Sequence, residues 1–163
     1  MNACLAEAEG AGGSLSYKTG AYRLPYSAAM TITPYLFYED VGAALVWLSK
    51  AFGFKKSGTQ MKQPDGTITH ASMERDGAFV MMGDPGPKYK NPRRLGQATQ
   101  NLYVEIDDVG KLFTRAVKAG ATVLEEPKDT PYGHRRCGLE DPEGHQWYFA
   151  QPIRPARRAA KRG

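Results

Sequence analysis

Few side chains in this chain could do chemistry, so their types and spacing narrow the reading quickly. Among three histidines, His70 stands inside a strand-like run, with Ser72 and Glu74 on the same face by the period-two alternation of strands. A histidine titrates near neutrality and can act as donor or general base. Glu74 is too far along that strand, ~13 Å, to share a metal with it. His134 and His145 flank turns and are expected at the surface. Glu105 is a second acid–base candidate, on another strand. Arg135 offers a planar guanidinium, which suits a ligand carboxylate or phosphate or a structural tie from the hairpin after Tyr132-Gly133 to the acidic turn that follows. By alternation only one of Arg135 and Arg136 can share its face, and Arg135 is taken as that residue. Cys4 and Cys137 lie far apart and form no disulfide framework, so a reducing cytoplasm is the expected compartment. There is no Gly-x-Ser-x-Gly elbow, no phosphate loop and no pair of closely spaced cysteines, which leaves a hydrolase triad and a structural zinc site without support.

The elements that hold these residues follow from an internal repeat. Asp40-Val41-Gly42 matches Asp108-Val109-Gly110, and Lys50-Ala51 matches Lys118-Ala119, at an offset of 68. After the glycines Gly53 and Gly120 the offset becomes 67: Pro64-Asp65-Gly66 falls on Pro131-Tyr132-Gly133 and Asp76-Gly77 on Glu143-Gly144. That alignment sets His70 against Cys137. In each half a strand (31–38; 100–106) leads to an aspartate suited to cap a helix. Val41, Leu45, Leu48 and Phe52 mark the apolar face of the first helix. Val109, Leu112, Phe113 and Ala116 mark that of the second. Glycine ends each helix. Three strands follow in each half, at 55–62, 67–74 and 78–82 and near 122–125, 134–140 and 146–151. The fold class is therefore α+β, built of two βαβββ modules. One helix can cover only one face of its sheet, so paired modules are expected to curve their bare faces into a cup.

The divisions are an N-terminal extension (1–29), module one (30–84), a proline-rich linker loop (85–98), module two (99–153) and a basic C-terminal tail (154–163). Residues 1–29 lack the charged start and apolar core of a secretory signal. A native flexible extension and translation starting at Met30 are both open readings. The net charge of +5 resides in the tail: without Arg154, Arg157, Arg158, Lys161 and Arg162 the chain carries 17 residues of each sign. The tail has no aromatic residue to stack on bases. A nucleic-acid role through it and Lys88, Lys90, Arg93 and Arg94 therefore ranks last. With 41% hydrophobic and 24% charged residues, and no run near the ~18 apolar residues of a membrane span, the chain reads as soluble and globular.

The two modules, their Asp-Val helix starts and the closing Pro-Tyr-Gly-x-Arg … Asp-Pro-Glu-Gly-His-x-Trp resemble the vicinal oxygen chelate (glyoxalase / bleomycin resistance / extradiol dioxygenase) superfamily. The branch most similar is that of glyoxalase-family proteins related to PhnB. The resemblance spans about residues 30–153 and implies a shared cup, a homodimer and, in the metal enzymes, a divalent ion held by the first and last strand of each module. Counting from the helix starts and turns puts those positions at Thr33, Met81, Asn101 and Tyr148. None is an imidazole or carboxylate, so no metal and no other cofactor is expected. Alternation further lines the cup with Tyr35, Phe37, His70, Tyr103, Glu105 and Arg135. Trp147 should be core. Such a lining suits a flat, partly aromatic small molecule bound without turnover. The alternative is a lyase, isomerase or dioxygenase of the glyoxalase type, metal-dependent or using His70 and Glu105 for acid–base chemistry.

Overall fold

Asp40 and Asp108 do what their positions suggest. The Asp40 carboxylate accepts a hydrogen bond from the Ala43 N–H, and Asp108 accepts one from Lys111, each at 2.8 Å. These caps start helices α1 (Val41–Phe52) and α3 (Val109–Lys118). The computed structural model describes residues 31–153; the N-terminal extension and basic tail lie outside the described residues. Helix α1 ends where Gly53 takes a left-handed conformation, φ 78°, which costs glycine no steric strain.

Strands β1 (Tyr35–Phe37), β2 (Lys55–Lys62), β3 (Ile68–Arg75) and β4 (Ala78–Gly83) form one sheet in the order β1-β4-β3-β2. After the short helix α2 (Pro92–Leu95), strands β5 (Asn101–Glu105), β6 (Thr122–Asp129), β7 (His134–Glu140) and β8 (Gln146–Pro152) form the second sheet, in the matching order β5-β8-β7-β6. Each sheet is mixed: its first strand runs parallel to its last and the remaining pairs are antiparallel. This is the expected pair of βαβββ modules.

Two boundaries differ from expectation by more than one residue, both at a proline. Strand β1 starts at Tyr35 because Pro34 has no N–H to donate; its carbonyl still accepts from the Met81 N–H. Strand β6 continues past Glu125 to Asp129 although Pro127 lies within it. It is the edge strand of its sheet, where a missing donor is tolerated, and the register shifts between Glu125 and Lys128 absorb the interruption.

The two modules share one core. Leu36, Ala71, Met73, Val80 and Met82 face Val41, Leu45, Leu48 and Phe52, all almost fully buried. In module two, Cys137, Leu139, Trp147 and Phe149 meet Val109, Leu112 and Ala116 in the same way. Helices α1 and α3 pack on each other. Phe52 bridges the halves, its ring centroid 5.3 Å from that of Trp147 and 4.8 Å from that of Phe149. The Trp47 indole N–H donates to the Ala119 carbonyl at 2.9 Å, and Arg115 donates to the Ala51 carbonyl at 2.9 Å. The helix-covered faces are thus turned toward each other, and the bare face of each sheet is turned outward.

The final turn locks this arrangement. Asp141 is 1% exposed. One of its oxygens accepts from the Glu143 and His145 N–H groups, each at 3.0 Å; the other accepts from the Tyr38 hydroxyl (2.7 Å) and the Trp147 indole (3.2 Å). Burial, with the Asp141 carboxylate alongside, raises the Tyr38 pKa well above its ordinary value. Glu143 accepts from the backbone of Glu39 and Asp40. The Asp-Pro-Glu-Gly-His-x-Trp run is therefore a fastener between modules.

Candidate ligand-binding site

Alternation along β1, β3 and β4 puts Tyr35, Phe37, His70, Ser72, Phe79 and Met81 on the bare face of module one. Tyr35, Phe37, Phe79 and Met81 are 43, 46, 50 and 36% exposed, although their alternating neighbours are core. Tyr35 lies across Gly83, where a Cβ would collide with its hydroxyl. There the phenol meets Nδ1 of His70 at 2.9 Å, and Phe37 stands edge-on to its ring at 5.6 Å.

Module two presents Asn101, Tyr103, Glu105, His134, Arg136 and Tyr148 on its bare face. Tyr148 lies over Gly138, whose missing side chain leaves room for the ring; a Cβ there would sit 2.7 Å from it. The Arg136 guanidinium rests 5.0 Å from the Tyr148 centroid, a cation–π distance. Its Nε and Nη2 donate to the two oxygens of Glu125, each at 2.9 Å, and Nη1 donates to the Tyr132 hydroxyl at 3.2 Å. Those hydrogen bonds and Lys128 nearby lower the Glu125 pKa to about 2, and the carboxylate raises that of Arg136. Partial burial raises the Tyr103 pKa, the Tyr132 hydroxyl adding to it, so Tyr103 holds its proton.

The strand register corrects one expectation. Ala71 opposes Met82, but Cys137 opposes Phe149, one residue farther along the chain. The module-two turn holds one extra residue, so His70 corresponds to Arg136 and not to Cys137. Cys137 is fully buried on the helix side, and burial pushes its thiol up to about 11. Arg135 shares the Cys137 face and pairs with Asp129 at 2.8 Å. It lines an open hollow of about 730 Å³ with Ile106, Asp107, Gln151 and Ile153, on the side away from the bare face. Arg136, which alternation had assigned to the far side, looks outward instead.

Of the remaining expected residues, Met81 sits beside Tyr35 and Tyr148 beside Tyr103. Asn101 opens β5 next to Gln146, and Thr33 precedes β1. Thioether and phenol groups do not fit the divalent ion that the family resemblance implies. Among the described residues no three His, Cys, Asp or Glu side chains converge. His70 and Glu105 lie on different bare faces, and no hydrogen bond joins them among the described residues. Phe79, Glu125, Tyr132, His134 and Arg136 were not anticipated. His134 follows a turn but begins a strand, and β7 alternation from it would have shown its face. His145, also expected at the surface, packs on Tyr38 with ring centroids 4.6 Å apart. In the linker, Arg93 pairs with Glu140 and Arg94 with Glu39, so neither is a free phosphate contact. No helix among the described residues is long and apolar enough to cross a membrane.

Comparison with known proteins agrees with this geometry. Uncharacterized proteins of Mycobacterium bovis and Mycobacterium tuberculosis are each 34% identical over 128 residues, covering 76% of this chain and 84% and 75% of theirs. The crystal structure of TioX from Micromonospora sp. ML1 superposes with a TM-score of 0.61 at 32% identity, over 76% of this chain and 99% of that one. TnmS3, an antibiotic binding protein from Streptomyces sp. CB03234, shares the fold at a TM-score of 0.52 and 17% identity, over 77% of this chain and 99% of that one. The family model that matches residues 29–149 places the chain by sequence as well: it belongs to the Glyoxalase/Bleomycin resistance protein/Dioxygenase superfamily.

Proposed function

We propose that this chain binds a small, flat, partly aromatic molecule without turning it over, in a cup assembled from two copies of the chain. One observation carries the reading. Each bare sheet face carries an aromatic or thioether group at a position where the metal enzymes of the resemblance would hold an ion, with a tyrosine beside it: Met81 next to Tyr35 in one module, Tyr148 next to Tyr103 in the other.

A second copy follows from the packing. The helix sides of both modules are spent on the shared core, so one chain cannot fold its two bare faces onto each other. No hydrogen bond or ring contact between the modules, among the described residues, uses a side chain of either bare face. Module one of one chain against module two of its partner closes the cup, and closure removes exposed apolar surface from water. Thr33, Tyr35, Phe37, His70, Met81, Asn101, Tyr103, Glu105 and Tyr148 then remain lining candidates; Arg136 takes the place proposed for Arg135. That TnmS3 is an antibiotic binding protein supports the capacity of this fold to bind a ligand. Within the superfamily we keep the PhnB-related branch, on the Pro-Tyr-Gly-x-Arg and Asp-Pro-Glu-Gly-His-x-Trp runs, and a cytoplasmic setting, on the free Cys137 thiol.

Thermal denaturation against a library of flat aromatic compounds, with and without chelator, tests the reading. The expected result is a rise in Tm with some compounds that is unaffected by chelator. Unchanged melting across the library, or stoichiometric zinc, nickel or iron in protein purified without affinity-tag metals, would contradict it.

A further inference from the structure

We propose that two tyrosine–histidine couples, Tyr35–His70 and Tyr103–His134, make the site selective for flat ring systems that carry hydrogen-bond acceptor atoms, carbonyl oxygens foremost. This names the ligand class for the binding reading above and rests on it. In both couples the phenol oxygen lies 2.9 Å from the imidazole Nδ1. The rings are nearly parallel, 30° and 29° apart, with centroids at 5.6 and 6.5 Å.

The couples are not a by-product of the repeat. Tyr35 and Tyr103 are equivalent, but the histidines are not: His70 opposes Gly83, whereas His134 opposes Pro152, two residues before Arg136, the true counterpart of His70. The same pairing is reached from two different strand positions, on both bare faces.

Proton bookkeeping gives the couples their selectivity. With the proton assigned to the phenol, the stronger hydrogen-bond acid, the hydroxyl donates to Nδ1 and the neutral imidazole keeps its own proton on Nε2. In the other tautomer Nδ1–H donates to the phenol oxygen and the tyrosine O–H is released. In either case one donor hydrogen of each couple is left over. Neither Nε2 has a hydrogen-bond partner among the described residues. Each histidine is only partly exposed, so a ligand that displaces water there without offering an acceptor leaves a donor unsatisfied. The coupled tyrosine holds the imidazole in place, and the exposed rings of Phe37 and Phe79 and the Met81 side chain nearby supply area with little polarity.

The test uses matched tricyclic compounds that differ only in a carbonyl: fluorenone and fluorene, xanthone and xanthene, acridone and acridan. Binding is titrated by tryptophan fluorescence. Wild-type protein should favour each carbonyl compound about three- to tenfold, the value of one net hydrogen bond. His70→Phe or Tyr35→Phe should reduce that preference, and the double variant His70→Phe/His134→Phe should bring it close to one. Affinity for the methylene member should fall by a smaller factor than affinity for its carbonyl partner. Gly83→Ala, which displaces Tyr35 while removing no polar group, should weaken the preference too. A carbonyl preference unchanged in these variants, or absent in the wild type while the methylene compounds still bind, would overturn the donor role and leave the binding reading standing. Failure of every compound to bind would overturn both.

Discussion

Replacing Asp141 by asparagine should destabilise the protein by about 2–4 kcal/mol while leaving its secondary structure intact. The oxygen that serves the Glu143 and His145 N–H groups can be kept by the amide carbonyl. The other position becomes an NH₂ group facing two donors, the Tyr38 hydroxyl and the Trp147 indole N–H. Tyr38 can rotate its proton and accept; an indole N–H cannot. Trp147 is 1% exposed and has no route to water. One buried donor left unsatisfied costs about 1–3 kcal/mol, and the exchange of a charge-assisted Tyr38 bond for a neutral one adds about 1 kcal/mol. Against a typical stability of about 5–15 kcal/mol the loss is readily measured by urea unfolding. A double-mutant cycle with Trp147→Phe isolates the pair, and its coupling energy should be about 1–2 kcal/mol. A loss below about 0.5 kcal/mol, or strict additivity of the two substitutions, would refute the view that this carboxylate fastens the modules.

Phe52→Ala should cost about 3–5 kcal/mol, and because Phe52 bridges Trp147 and Phe149 both sheets should still melt in one transition by circular dichroism and tryptophan fluorescence. Glu125 is held at about 2 by Arg136, so its folded value lies below its unfolded one. Its contribution is present above pH ~4.5 and fades as pH falls toward 2. Unfolding free energies from urea titration of wild type and Glu125→Gln should differ by up to about 2 kcal/mol at pH 7, after screening of a partly exposed pair, and converge near pH 2. Cys137, buried with its thiol at about 11, should resist a thiol reagent at pH 8 in the folded protein and react fully in denaturant.

The architecture was legible because turns and helix starts carry residue-specific geometry. Asp40 and Asp108 cap helices, Gly53 stops one, and Val41, Leu45, Leu48 and Phe52 face the core. The site was less legible because strand alternation is unforgiving of register. One extra residue in the β7–β8 turn exchanged the faces of Arg135 and Arg136 and moved Cys137 from partner of His70 into the core. Pro127 hid the second half of β6, where Lys128 opposes Arg136, and so the register that brings Arg136 to Glu125. Long-range bonds such as Tyr38 to Asp141 leave no periodic trace, so the closing motif was legible as a family resemblance and not as the side chains that hold the modules together. The Tyr103–His134 couple was missed for a related reason: a histidine beside a turn says nothing of the strand across from it.

The assembly of the cup can be tested most directly by mixing chains. One variant carries Tyr35→Ala and His70→Ala, spoiling the bare face of module one. The other carries Tyr103→Ala and Tyr148→Ala, spoiling that of module two. Each should fail to bind a compound that raises the wild-type Tm. Unfolded together and refolded at equal amounts, they should regain roughly a quarter of wild-type sites, the random-mixing share when a mixed dimer pairs two intact faces in one of its two cups. No recovery from mixed chains, with both variants folded and dimeric, would show that the two faces do not meet across the pair.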